Sequence, residues 1–333
     1  MWPDEEKPVY GVFVKRQVDS LIEAGVRCDV VYIRGHRSPL AYPLAALRFA
    51  AWSLTRRGRY RLVHVHAGET TLPARFLVGS PMLCSYCGDD LLGDPDENGQ
   101  KRKSSLVRAW VIRQISRTLK GTITKSAEME TALPPGRRDV NNVVPNGVDE
   151  RTFRPFEDRA PARERFGFDP NEVVALFAAT KPDIPRKRRP LAEAACRNAS
   201  ERLDKPVRLY IARDVAPDQM PALMNACDLL LHTSSLEGSP NAVKEALMCN
   251  LPVVATPSGD IAELLDGVEP SFVCEPDEDV LGEAIAACAG KRSNGREVAA
   301  RLKAGNVAQR LMSIYDRLAT TPQRAQLPVG SRS

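Results

Sequence analysis

Residues 226–265 read ACDLLLHTSSLEGSPNAVKEALMCNLPVVATPSGDIAELL. Residues 229–232 form a short apolar run with no helical period, which predicts a strand buried on both faces. A loop of small polar residues follows, then a helical pattern over 242–249, then a second apolar run over 252–255. Ser239 suits the N-cap of that helix and Pro240 its first position. Gly238 lets the backbone approach a ligand closely. Free N–H groups at the helix start, aligned with the dipole, make a site for phosphate. Two carboxylates bracket that start, Glu237 in the loop and Glu245 in the helix, in an E-x7-E spacing. Carboxylates there can accept hydrogen bonds from sugar hydroxyls. Taken singly, Glu237 reads better as a cap for the helix and Glu245 as the partner of a surface cation.

The same strand–helix alternation runs outward in both directions. The first half has strand patterns at 29–33, 62–66, 82–86, 121–124 and 142–144, the second at 173–178, 207–211, 229–232, 252–255 and 272–274. Helical patterns lie between most of them, at 14–24, 126–133, 221–227, 242–249 and 280–289, and a last one spans 295–318. Such repetition predicts parallel sheets with both faces covered, and two series predict two doubly wound α/β domains, 1–155 and 156–318. Pro155 and Pro161 punctuate the expected boundary. Residues 319–333 are polar and read as a disordered tail.

At 333 residues, 43% apolar and 27% charged, the chain is ordinary for a globular protein of two domains. The longest apolar stretch, 44–54, is interrupted by Arg48 and is far short of a membrane span. The first residues carry no basic segment followed by an apolar one, so a cytoplasmic location is the default expectation. Eight cysteines are scattered without a disulfide framework. Cys84 and Cys87 have C-x-x-C spacing, but an expected strand over 81–87 would send them to opposite faces, against redox or metal chemistry. Residues 1–155 carry 24 Lys and Arg against 17 Asp and Glu, and residues 156–333 carry 23 against 25. A basic half suits an anionic partner. Its densest stretch, 101–120, interleaves arginines with an apolar helical stripe. It reads as a surface helix packed on the core, or one that also rests on an anionic membrane surface. No nucleic-acid-binding motif is present.

The whole 226–265 string resembles the donor-binding region of family 4 glycosyltransferases, which have the GT-B fold. Asp228, Ser234, Glu237, Gly238, Pro240, Glu245, Ala246, Pro252, Val253, Val254 and Gly259 match that pattern in order and spacing. Residues 144–149, VPNGVD, followed by Phe153, look like the segment closing the family's first domain. Residues 10–14 with Gln17 resemble its early glycine loop, which makes Gly11 an acceptor-side candidate.

The resemblance implies a retaining glycosyltransferase with a nucleotide-sugar donor as co-substrate, no other cofactor and no catalytic metal. Its acceptor would be a glycan, a lipid-linked or a small molecule, in polysaccharide or related assembly, with a possible place at the inner face of the membrane. By the same resemblance Glu237 contacts the donor sugar and Glu245 the ribose, with backbone around Ser239, Pro240 and Asn241 surrounding sugar and diphosphate. Lys187 fits the lysine that the family places on the diphosphate, and Lys181 or Arg186 stands in for its arginine. The physical need is plain, since a departing diphosphate develops negative charge. Asp89-Asp90 is then not a metal site. Relatives often have histidine at the Cys87 position, so Cys87, with His66 and Asp89, joins the acceptor-side candidates. Relatives also have an apolar strand ahead of the segment resembling Trp2-Pro3, from which a start further upstream is expected. The competing reading is a catalytically silent GT-B homologue that binds nucleotide or glycan.

Overall fold

The computed structural model describes residues 1–319 except 5, 8, 94–100 and 214. The first unit begins with α1 (Val12–Glu23) and α2 (Ala41–Thr55). Then come β1 (Val63–His66), α3 (Thr71–Ala74), β2 (Met82–Ser85), α4 (Asp89–Leu92) and α5 (Lys103–Ser116). It closes with β3 (Gly121–Thr124), α6 (Ala127–Thr131) and β4 (Asn141–Val143). Its strands pair in parallel in the order β1-β2-β3-β4. Phe49, Leu77, Ile112 and Met129 fill one face of that sheet.

The second unit runs α7 (Ala160–Arg165), β5 (Val173–Ala178), α8 (Arg189–Leu203), β6 (Val207–Ala212), α9 (Met220–Ala226) and β7 (Leu229–His232). It continues with α10 (Asn241–Met248), β8 (Val253–Ala255), α11 (Ile261–Leu265), β9 (Phe272–Val273) and α12 (Glu278–Cys288). All five strands are parallel, in the order β6-β5-β7-β8-β9. The chain leaves β5 in one direction to β6 and returns on the other side as β7, so a topological switch point lies between β5 and β7. Ligands of open parallel sheets bind outside the carboxyl ends of the strands at such a point.

The structure departs from the sequence reading in four places. Residues 29–33 form no strand, and among the described residues β1 is left as the edge of its sheet. β2 ends at Ser85, so Cys87 lies in the following loop and not on the strand. The expected helix 295–318 is divided into α13 (Gly295–Val298), a tight turn, and α14 (Ala304–Ala319). The break lets the chain cross back: the Val148 N–H donates to the Leu302 carbonyl (2.8 Å) and the Ala304 N–H to the Val148 carbonyl (2.8 Å). α14 then buries Val307, Ala308, Leu311 and Ile314 against Leu21, Leu83, Ile123 and Val144, on the free face of the first sheet. The terminal helix thus completes the first unit's core, although the sequence placed it with the second. Finally, α10 starts at Asn241, with Pro240 flanking it and no side-chain cap; the Ser239 hydroxyl is engaged elsewhere. The tail expected at 319–333 lies outside the described residues except for Ala319, which ends α14.

Candidate functional site

Two loops meet at the switch point, one after β5 and one after β7. Backbone and hydroxyl contacts stitch them together. The Ser235 N–H donates to the Arg186 carbonyl (2.8 Å), and the Thr233 hydroxyl donates to the Lys187 carbonyl (2.7 Å). The Arg186 guanidinium donates to the Leu236 carbonyl (3.2 Å). This brings the Lys187 ammonium 2.5 Å from the Glu237 carboxylate, both side chains mostly buried. Burial acts to raise the Glu237 carboxyl; Lys187, His232 and Ser234 together outweigh it and hold the acid below the usual carboxylate range. The His232 ring, 3.8 Å from the same carboxylate, is kept neutral by burial, its pKa pushed down to about 4. Its Nε2 is buried without a hydrogen-bond partner among the described residues.

Glu245 lies one helix turn into α10 and faces the first unit. Its carboxylate accepts from the Arg16 guanidinium of α1 at 2.5 Å, and Arg16 also stacks 5.0 Å from the Phe153 ring. Burial still raises the Glu245 carboxyl, against Arg16. A second link between the units runs from the Asn146 amide to Asn241 (3.2 Å). Gly238 lies against the first unit too: a Cβ there would be 3.1 Å from the Met129 sulfur and 3.7 Å from the Gly88 Cα. Gly259 has φ +57°, and a Cβ on it would fall 2.7 Å from the Gly238 carbonyl oxygen and 2.8 Å from that of Glu237. Only glycine permits this packing of the loop.

Ser239 donates its hydroxyl to Asp260 (2.6 Å) and accepts from the ammonium of Lys244 (3.0 Å). Lys244 is fully buried, and burial lowers its pKa to about 8; burial likewise raises the Asp260 carboxyl. One oxygen of Asp260 has no hydrogen-bond partner among the described residues.

Arg186, Lys187 and Glu237 are thus brought together at the switch point, and Gly238, Ser239, Pro240 and Asn241 follow directly into α10, with Glu245 one turn further on. Lys181 is not among them: it is exposed, and among the described residues no hydrogen bond or ion pair ties it to the loop. On the first unit's side, His66 ends β1 and stacks on His64 with ring centroids 4.4 Å apart; burial holds it neutral. Gly11 (φ +76°) precedes α1 and packs against Met1 and Trp2. Cys87 is a free thiol that burial keeps protonated. Asp89 is exposed, and its neighbour Asp90 is the buried acid, taking N–H bonds from Gly68 (2.8 Å), Cys87 (3.0 Å) and Gly88 (3.0 Å). Asp228, part of the matched string, does structural work at the far end of the sheet, where Arg159 and Arg163 each approach it to 3.0 Å and the Val174 N–H donates to it (2.8 Å).

Sequence reasoning missed Arg16, Asn146, His232, Lys244 and Asp260. Lys244 stands next to Glu245 in α10 and reads from the sequence as an ordinary surface charge. Arg16 carried no signal, since its partner lies 229 positions away.

The arrangement defines a two-unit α/β protein with a polar cleft at a switch point, and its fold is GT-B. Residues 182–290 match the family model described as Glycosyl transferases group 1, a segment holding Lys187, Glu237 and Glu245. Among solved structures, HepE of Anabaena in complex with UDP and glucose is 21% identical, with a TM-score of 0.63 over 83% of this chain and 82% of that one. Sucrose-phosphate synthase from Thermosynechococcus elongatus is 16% identical, with a TM-score of 0.69 over 92% of each chain. AviGT4, a glycosyltransferase involved in avilamycin A biosynthesis, is 18% identical, with a TM-score of 0.61 over 93% of this chain and 90% of that one. No curated protein matches the chain.

Proposed function

We propose that the protein is a retaining glycosyltransferase of the family 4 type, moving a sugar from a nucleotide-sugar to a glycan, lipid-linked or small-molecule acceptor without a catalytic metal. The observation that carries this reading is the Lys187–Glu237 pair at the switch point, with Glu245 one turn into the helix that follows. In the proposed reaction the bond between the sugar's anomeric carbon and the diphosphate breaks, and a bond from that carbon to the acceptor oxygen forms on the same face. The acceptor's proton passes to the departing phosphate oxygen. Lys187 and the N–H groups at the start of α10 offset the charge that develops there. Glu237 orients the sugar through its hydroxyls, and Glu245 does the same for the ribose. An inverting reaction needs a base on the acceptor side. On the acceptor side burial makes His66 a weak base by lowering its pKa, Cys87 is held protonated, and Asp90 is occupied by three N–H donors, which supports retention. HepE was solved with UDP-glucose, which makes that donor the first to try.

Incubation with UDP-, GDP- and ADP-sugars and a set of glycan and lipid-linked acceptors tests the reading, with the product's anomeric configuration read by NMR. A product of inverted configuration contradicts retention. Nucleotide binding without transfer or donor hydrolysis supports the silent homologue instead.

A further inference from the structure

Lys125 is the first residue beyond β3, at the carboxyl end of the first unit's sheet. Ser126 follows it and starts α6, its hydroxyl accepting the Met129 N–H (3.2 Å). Lys125 is only 3% exposed, and among the described residues no hydrogen bond or ion pair holds its ammonium. A buried ammonium is normally paired, because burial strips its hydration and only a partner compensates for that. Burial lowers its pKa, as expected for a cation left without a counter-ion.

The groups around it do not supply the missing charge. In the first unit its charge reaches Cys84, Cys87 and Asp90, and His64 and His66 at the end of β1. Burial keeps both thiols protonated and lowers the pKa of both imidazoles. Asp90 is the one acid of that set, and its carboxylate is taken up by the N–H groups of Gly68, Cys87 and Gly88. Burial raises its carboxyl to about 6, a shift that an ion pair with Lys125 would oppose. In the second unit its charge reaches Lys244 of α10, a like charge with hydrogen bonds of its own to the Ser239 hydroxyl (3.0 Å) and carbonyl (3.3 Å). The elements beside Lys125 also touch the donor loop. A Cβ on Gly238 would be 3.1 Å from the sulfur of Met129 and 3.7 Å from the Gly88 Cα. Two buried ammoniums thus lie on either side of the join between the units, close to the loop that carries Glu237.

We propose that Lys125 binds an oxyanion, a phosphate or a carboxylate, carried by the acceptor. The ammonium belongs to the unit that holds His66 and Cys87, whereas the start of α10 and Lys187 on the other unit already serve the donor's diphosphate. An acceptor with such a group pairs with Lys125 and separates it from the like charge of Lys244. The acceptor class is thereby narrowed to charged molecules: a sugar phosphate, a uronic acid or a lipid linked through phosphate. The inference rests on the transferase reading, since the anion belongs to that reaction's acceptor.

The test follows the melting temperature of the full chain as inorganic phosphate or acetate replaces chloride at constant ionic strength. UDP, GDP or ADP is present throughout to fill the donor's own phosphate positions. One of the two anions should raise the parent's melting point by roughly 2 °C or more. The effect should vanish in Lys125→Met and survive in part in Lys125→Arg, which keeps the charge. The anion that responds tells a phosphate-bearing acceptor from a carboxylate. Without ligand, Lys125→Met should melt higher than the parent, because it removes an unpaired buried charge. In the transfer assay, acceptors with that group should be used, their KM raised roughly tenfold or more in Lys125→Met with nucleotide affinity unchanged. No anion effect beyond the nucleotide, or an equal effect in Lys125→Met, overturns the proposal. So does a lower melting point of unliganded Lys125→Met, which would make the ammonium a structural partner of Asp90. Weaker nucleotide binding in Lys125→Met overturns it too, by placing the anion on the donor. Failure of every nucleotide to bind contradicts the transferase reading instead, and the phosphate and acetate titrations still decide whether Lys125 holds an anion.

Discussion

Removing the ammonium of Lys187 should damage the protein in two separable ways. At 2.5 Å and an effective dielectric of about 20, its attraction for Glu237 is ~6–7 kcal/mol before desolvation. The side chains are only 16% and 17% exposed, so desolvation offsets most of this, leaving a net coupling of ~1–3 kcal/mol. Lys187→Met strands a buried carboxylate and should cost ~2–4 kcal/mol of stability at neutral pH. Because the partner holds the Glu237 carboxyl below its ordinary value, the pair's contribution is present above the carboxylate range and lost as pH falls through it. The gap between parent and Lys187→Met should therefore close on acidification. Glu237→Gln should cost less, and the double variant should be ~1–3 kcal/mol more stable than the sum of the single losses. Transfer activity should behave differently. Each single change should lower it by roughly 10²–10³-fold, and the double variant should not recover. Urea denaturation at several pH values gives the coupling, and initial rates give the activity. Stability losses that add to within about 0.3 kcal/mol would refute the pair as an energetic unit.

Arg16→Met should leave Glu245 buried without its cation and destabilise the protein by ~2–4 kcal/mol at pH 8. Burial already raises that carboxyl, so its penalty grows as pH rises; unfolding at pH 5 should show a smaller loss than at pH 8. Lys244 has a folded pKa of about 8 against an ordinary 10.5, so the folded state binds fewer protons between them and stability should rise with pH across that window. Lys244→Met should flatten that part of the denaturation profile. Gly259→Ala should push the Gly238 and Glu237 carbonyls aside, weakening nucleotide binding by roughly tenfold or more and costing ~1–3 kcal/mol; calorimetry and melting read both.

The second unit was legible because its strands are short, mostly apolar runs, buried on both faces in β5, β7 and β8, and all five sit where the sequence placed them to within a residue or two. The 226–265 string carried its own geometry, because loop, helix start and both glutamates are contiguous. What failed needed a partner distant in sequence. Residues 29–33 have a strand's composition, but composition does not decide pairing, and among the described residues they pair with no strand. The 295–318 periodicity was real, yet the bridge at Val148 breaks the helix and turns its second half onto the other unit. Ser239 looked like a cap, and Asp260, brought close by the β8–α11 turn, takes its hydroxyl instead. Arg16 was invisible for the same reason, since nothing local marks a cation whose anion belongs to the other half of the chain.

The central claim is that the cleft between β5 and β7 binds a nucleotide-sugar through Lys187, Glu237 and Glu245. Isothermal calorimetry with UDP-, GDP- and ADP-sugars tests it directly, with Glu245→Ala and Lys187→Ala measured alongside. The account predicts selective binding of one nucleotide class, weakened in both variants. Equal affinity of parent and variants, or no binding to the folded protein by any nucleotide, would contradict it.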